Sequence, residues 1–284
     1  MMKKVLSVLL CFVMLFGVLS VTAFAAEETT RYVVLGDSIA YGLGLSNPVQ
    51  AVYGKIVADT NGYSYENYAI PGHTTGNLID RMKNDTVKEA IVNADIISIS
   101  IGGNNFLLGN LAALLYDGIV KEDYTRFDEI SESFYEDLST IVTTIRALNA
   151  DVVIVLQTVY NPQTSYIGEV YEQGILRLNA KIMQYAQENP ENLFVADVAQ
   201  YLTDSETDFA GDRIHPSAVG NEKIARVVLQ TLYDNGLASE TEPVINEQGK
   251  DVRGAVMFAS SVNLYGKVLH MISVVRGFLR GICG

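Results

Sequence analysis

A doubly wound α/β fold, with one parallel sheet and helices on both faces, is what this chain predicts. Several short runs of β-branched and apolar residues are continuous rather than alternating, which suits strands buried on both faces. Longer amphipathic stretches alternate with these runs, and strand-helix alternation builds parallel sheets with crossover helices. Hydrophobic residues make up 49% of the 284 and charged residues 19%, which is enough apolar material for one sizeable domain with a full core and excludes a disordered chain.

The elements follow in order. Arg31 to Gly36 (RYVVLG) is a buried strand closed by glycine. Residues 48–60 fit a helix. Ser64 to Ala69 (SYENYA) is polar and aromatic, so it is a strand nearer an edge. Thr75 to Met82 starts a second helix, with Thr74 or Thr75 as its N-cap. Asp95 to Ile101 (DIISISI) and Asp151 to Thr158 (DVVIVLQT) are buried strands, and Leu193 to Val198 (LFVADV) is a weaker one. Residues 127–149 space Ile130, Phe134, Leu138, Ile141, Ile145 and Leu148 by three and four, the apolar stripe of an amphipathic helix. Residues 167–187 and 219–235 are two further helices.

Both flanks differ from this body. Lys3 and Lys4 precede an apolar run from Val5 to Val21, and Ala23-Phe24-Ala25 then gives the small-x-small pattern of a cleavage site. Residues 1–25 are therefore expected to be a signal peptide and the mature protein to be secreted. After its removal only Cys283 remains, so no intrachain disulfide is expected. Residues 27–237 form the expected domain, 238–252 (ASETEPVINEQGKDV) a polar linker, and 253–284 a cationic tail. In the tail, Val268, Met271, Ile272, Val275, Phe278 and Leu279 share one helical face, with His270, Ser273, Arg276 and Arg280 opposite. Two readings stay open for residues 265–283: packing on the body, or contact with a membrane surface or a partner protein. Residues 27–250 carry 14 Lys and Arg against 32 Asp and Glu, a net −18, while residues 251–284 carry +3. So acidic a body repels phosphates and excludes nucleic acid as the expected partner.

Three segments carry chemistry, each just after an expected strand or at a helix start, where sites of such sheets lie. Gly36-Asp37-Ser38 leaves the first strand and would present the Ser38 hydroxyl, a weak nucleophile that needs a base. Asp212-Arg213-Ile214-His215 precedes the last helix. Histidine is the natural base near neutral pH, and an acid three residues earlier can turn back to hold the far ring nitrogen. Gly72, after the second strand, can offer a bare backbone N–H, and Asn104 in Gly102-Gly103-Asn104-Asn105, after the third, a side-chain amide. With the Ser38 N–H these make three donors for one oxyanion.

The segments GDSIAYG, NYAIPGHTTGNL, SISIGGNNF and DRIHPSAVGNEKIA resemble, in content and order, the four blocks of the SGNH hydrolases, also called GDSL lipases or esterases, over about residues 31–235. The resemblance implies a flavodoxin-like three-layer α/β/α sandwich with about five parallel strands. It implies Ser38 as nucleophile, His215 as base and Asp212 as its orienting acid, with Ser38, Gly72 and Asn104 as oxyanion hole. Asp37, His73 and Asn105 are assigned to the substrate-binding wall. Asn105 stands where the family usually carries Asp. The implied reaction is cleavage of a lipid, acetylated-glycan or small ester through an acyl-enzyme, with no metal or organic cofactor. A binding protein on the same fold, or an acyl transferase using the same residues, are the competing readings.

Overall fold

The computed structural model describes residues 29–246 except 109–110 and 163–165, so the expected signal peptide and the cationic tail lie outside the described residues. Five strands form one sheet: β1 (Arg31–Gly36), β2 (Ser64–Asn67), β3 (Ile96–Ser100), β4 (Val153–Gln157) and β5 (Leu193–Ala196). All neighbours pair in parallel, in the order β2-β1-β3-β4-β5. Every residue of β3 and β4 is buried, which is why those runs are continuously apolar, whereas β2 at the edge alternates exposed and half-buried residues.

The helices are α1 (Ser38–Tyr41), α2 (Pro48–Ala51), α3 (Tyr53–Asn61), α4 (Thr75–Arg81), α5 (Asp85–Asn93), α6 (Gly103–Leu107), α7 (Leu111–Tyr116), α8 (Thr125–Leu148), α9 (Tyr166–Glu188) and α10 (Ala218–Asp234). Because successive side chains of a strand point to opposite faces, the sheet divides the core in two. Val33, Leu35, Ile97, Ile99, Ile154 and Leu156 pack with Leu78, Ile91, Leu138, Ile145 and Leu178 of α4, α5, α8 and α9. Tyr32, Val34, Ile96 and Val155 pack on the other face with Ile56 and Val57 of α3 and Ile224, Val228 and Leu229 of α10. This is the three-layer α/β/α sandwich that the sequence predicts, with the edge strand where its polar residues place it.

Three local features differ from the sequence reading. The helix expected over 48–60 is broken at Val52, which is extended (φ −68°, ψ 144°). The Tyr53 N–H donates instead to the Asn221 side chain of α10 at 3.0 Å, a tertiary bond that replaces a helical one. The α5 helix and the α6–α7 segment, with its π-helical continuation Asp117–Lys121, are additional. In the stretch read as a linker, the described residues 238–246 are bound to the body. The Asn61 side chain accepts from the N–H groups of Ser239 and Glu240 at 2.8 and 3.0 Å, and Val244 N–H donates to Thr60 Oγ1 at 2.9 Å.

Strand order reverses between β1 and β3, so the loops leaving these two strands diverge and open a crevice at their carboxyl ends. Gly36 makes the tight exit possible. Its φ is +144°, and a Cβ there would lie 2.1 Å from the Ser100 carbonyl oxygen of β3. Gly36→Ala must therefore separate β1 from β3. It is expected to destabilise the domain by about 3 kcal/mol or more, which is a fall of roughly 6–12 °C in thermal unfolding. An unchanged melting temperature would show that the two strands do not need this close approach.

Candidate active site

Asp37 caps the four-residue helix α1: its Oδ1 accepts the Ile39 N–H at 3.0 Å, and its own N–H bonds the Ser100 carbonyl at 3.1 Å. Ser38 thus becomes the first helical residue, held over the end of the sheet and 8% exposed. As a first-turn residue it has no helical acceptor for its own N–H.

On the other side of the crevice, residues 208–217 form a compact turn before α10. Asp208 is fully buried and ion-paired to Lys223 of α10 at 2.7 Å, while its carbonyl accepts the Ser217 N–H at 2.9 Å. Ser217 caps α10 by accepting from Gly220 N–H. Within the turn, Asp212 Oδ1 accepts the N–H groups of Ile214 and His215, each at 3.0 Å. Arg213 adopts the left-handed conformation (φ 57°), uncommon for a side chain of that size, and this lets the acid face the histidine three residues on. Asp212 Oδ2 then lies 2.6 Å from His215 Nδ1, and His215 Nε2 lies 3.0 Å from Ser38 Oγ. Tyr160, after β4, anchors the turn by donating to the Ile214 carbonyl at 2.9 Å.

Burial raises the Asp212 carboxyl, but the His215 ring and the two backbone N–H groups outweigh it, and its pKa ends below the ordinary carboxylate value. An ionised carboxylate can only accept, so the proton on the ring sits at Nδ1. Nε2 is left with a free lone pair aimed at the Ser38 hydroxyl. The arrangement can withdraw a proton from Ser38 and stabilise the imidazolium that results.

Gly72 and Asn104, the expected donors, line the same crevice as Ser38. Pro71-Gly72 forms the centre of a turn closed by His73 N–H to the Ile70 carbonyl at 3.2 Å. Gly72 has φ +83°, as the third position of a type II turn requires, while a Cβ there would meet open space, so conformation rather than room selects glycine. Asn104 in α6 donates one amide hydrogen to the His73 carbonyl at 3.0 Å. That bond fixes the amide plane and leaves a second hydrogen for a ligand.

Ser38, His215, Asp212, Gly72 and Asn104 all line one cavity of about 570 Å³. Most of its wall is apolar, with Leu43, Leu107, Leu108, Leu111, Val159 and Tyr171 prominent and no Lys or Arg among the lining residues. Leu108 and Ala112 are also exposed, so the mouth has an apolar rim. The α6–α7 wall is the functional feature that sequence reasoning missed. Its signal is the run Phe106-Leu107-Leu108 with Leu111-Ala112, too apolar all round for a surface helix. Two residues assigned to the wall stand outside it. Asn105 is committed to Thr75, with both amide atoms bonded there, and His73 contributes its carbonyl to Asn104 while its ring does not line the cavity. Asp37 does line the cavity, although it is only 4% exposed and one of its oxygens caps α1. No group of three or more His, Cys, Asp or Glu side chains among the described residues could hold a metal ion.

Known proteins share both the motifs and the fold. The model of the GDSL-like lipase/acylhydrolase family matches residues 34–223. The chain is 25% identical over 227 residues to the uncharacterised protein YpmR of Bacillus subtilis strain 168, covering 75% of this chain and 86% of that one. Among solved structures, it resembles the lipase Lip_vut3 from a goat rumen metagenome (TM-score 0.62, 21% identity, 72% of this chain and 98% of the other). It also resembles phospholipase A1 from Streptomyces albidoflavus NA297 (TM-score 0.53, 17% identity, 72% and 99%). At these identities the structural likeness is one of fold.

The charge state of Asp37 has a measurable consequence. Burial pushes its carboxyl up from 3.8 to about 7, against the opposing effects of the Ile39 N–H and the nearby His215. The folded state thus binds this proton more tightly than the unfolded chain, so stability is present below pH 4 and is lost as pH rises through 7. Asn at 37 keeps the cap without the charge. The melting temperature of Asp37→Asn relative to wild type is expected to climb by several degrees, on the order of 2–4 °C per kcal/mol, between pH 5 and pH 8. A difference independent of pH would show that Asp37 is not held near neutrality by burial.

Proposed function

The chain belongs to the GDSL-like lipase/acylhydrolase family, and from that premise we propose that it hydrolyses neutral carboxylic esters through an acyl-enzyme on Ser38. One observation carries the reading: the hydrogen-bonded line Asp212–His215–Ser38 opens onto an apolar cavity whose far wall offers Gly72 and Asn104.

The geometry supports the following sequence. Ser38 Oγ attacks the ester carbonyl carbon as its proton passes to His215 Nε2, and Asp212 stabilises the imidazolium. The new oxyanion receives hydrogen bonds from the Ser38 and Gly72 N–H groups and the Asn104 amide. Collapse breaks the carbon–oxygen bond to the alcohol, which leaves with the proton from Nε2. A water then enters, gives its proton to His215 and attacks the acyl carbon. Collapse of this second intermediate releases the acid and returns the proton to Ser38.

The cavity argues for the acyl group. At about 30 Å³ for each water-sized unit, 570 Å³ has room for a chain well beyond acetyl, and the walls reward apolar carbon. Without Lys or Arg among the described lining residues, an anionic group on the substrate would find no permanent cation to pair with there. We therefore favour acyl esters of medium length over acetylated glycans. Export of the protein is part of the same proposal, supported by Val5 to Val21 and Ala23-Phe24-Ala25.

The test combines labelling with turnover. A fluorophosphonate should modify Ser38 in the wild type and fail to react in Ser38→Ala and His215→Ala. On p-nitrophenyl esters from acetate to palmitate, kcat/KM should rise beyond acetate to a maximum at intermediate length. Asn104→Ala should cost about 100-fold or more in kcat. A folded wild type that resists the label would favour the binding-protein reading, and a maximum at acetate would refute the acyl-chain assignment.

A further inference from the structure

Thr75 opens α4, directly after the loop that carries Gly72 and His73, and is fully buried. Asn105 follows Asn104 in α6. Asp137 comes from the middle of α8, far from both in sequence. These three side chains form one chain of hydrogen bonds. Thr75 N–H donates to Asn105 Oδ1 at 3.2 Å, Asn105 Nδ2 donates to Thr75 Oγ1 at 2.8 Å, and the Thr75 hydroxyl donates to Asp137 Oδ2.

The direction of the chain is forced. A backbone N–H only donates, so it must face the Asn105 carbonyl oxygen. That turns the amide nitrogen toward the hydroxyl, whose single proton is then free only for Asp137. Together with Asn104 to the His73 carbonyl, these bonds join the loop after β2 to the loop after β3. Gly72 stands on one loop and Asn104 on the other.

We propose that Asp137, Thr75 and Asn105 are positioning residues that set the spacing of the two oxyanion donors outside α1, and that Asp137 dictates an amide rather than a carboxylate at 105. The inference depends on the reading of Ser38, Gly72 and Asn104 given above. With a carboxylate at 105, two carboxylates would face one hydroxyl proton, and one of them would meet a bare lone pair. The loops would then shift apart. With an amide at 137 as well, the chain can run in reverse: the amide at 137 donates to Thr75 Oγ1 and the hydroxyl donates to the carboxylate at 105, so every group is again satisfied.

The experiment is a double-variant cycle on the full chain, reading kcat and KM on a soluble ester together with thermal unfolding. Asn105→Asp is expected to lower kcat by about tenfold or more, as misplaced catalytic geometry does, with KM changed by less than about twofold. Asp137→Asn alone should lose less than about threefold, because the hydroxyl can donate to the amide oxygen placed there. The double variant should return to within about threefold of wild type, a non-additivity expected of residues in one hydrogen-bond network. A double variant no faster than Asn105→Asp overturns the proposal, as does a cycle that appears in melting temperature but leaves kcat unmoved. A wild type silent toward every ester overturns instead the reading of Ser38 on which the proposal depends.

Discussion

The pairing of β1 with β3 governs the rest of the molecule. Strand order reverses there, and the register that sets Gly36 against Ser100 brings the two strand ends level. The Asp37 N–H continues the ladder by one more bond to Ser100, so Ser38 starts its helix immediately above the sheet. The β3 exit then supplies Asn104 and the β2 exit Gly72 at the same edge. Parallel pairing requires crossovers, and the crossovers supply α3 on one face and α4, α5, α8 and α9 on the other, while α10, after β5, completes the first face. The placing of Ser38 at this edge follows from one local close approach between two strands.

Polar burial near the site is organised the same way. The turn over 208–217 packs Phe209 into the core and must also place a carboxylate and a ring accurately. Asp208, fully buried, ties it to α10 through Lys223 and Ser217, and Tyr160 ties it to β4. Asp212 accepts three N–H groups, which hold its pKa below the ordinary carboxylate value against the burial that raises it. Asp37 goes the opposite way, because burial outweighs the Ile39 N–H and the nearby His215. A buried and a half-buried carboxyl in one crevice are therefore driven apart by the balance of burial against hydrogen bonds, with the lowered one behind His215.

Much of this was legible in the sequence, and the exceptions have physical reasons. Strands announce themselves when both faces are buried, so RYVVLG, DIISISI and DVVIVLQT read correctly. The positions of Ser38, Gly72, Asn104, Asp212 and His215 after their elements followed from the strand pattern and the family resemblance together. The break at Val52 was not legible, because Asn221, 168 residues away, causes it. The α6–α7 wall was missed because Gly102-Gly103-Asn104-Asn105 reads as a turn, and because the segment divides its apolar residues between the core (Phe106, Leu114, Leu115) and the cavity (Leu107, Leu108, Leu111). Asn105 looked like a wall residue by adjacency. Its partner Thr75, and Asp137 beyond Thr75 in the same chain of bonds, lie 30 and 32 residues away on either side, and no local pattern links them.

A structure of the protein inactivated by a neutral alkyl phosphonate would examine the whole arrangement at once. Phosphorus should be bonded to Ser38 Oγ, with the phosphonyl oxygen within about 3 Å of Ser38 N, Gly72 N and Asn104 Nδ2. The alkyl chain should lie against Leu107 and Leu111. A phosphonyl oxygen turned toward solvent, away from those three donors, would contradict the account even if Ser38 were the residue modified.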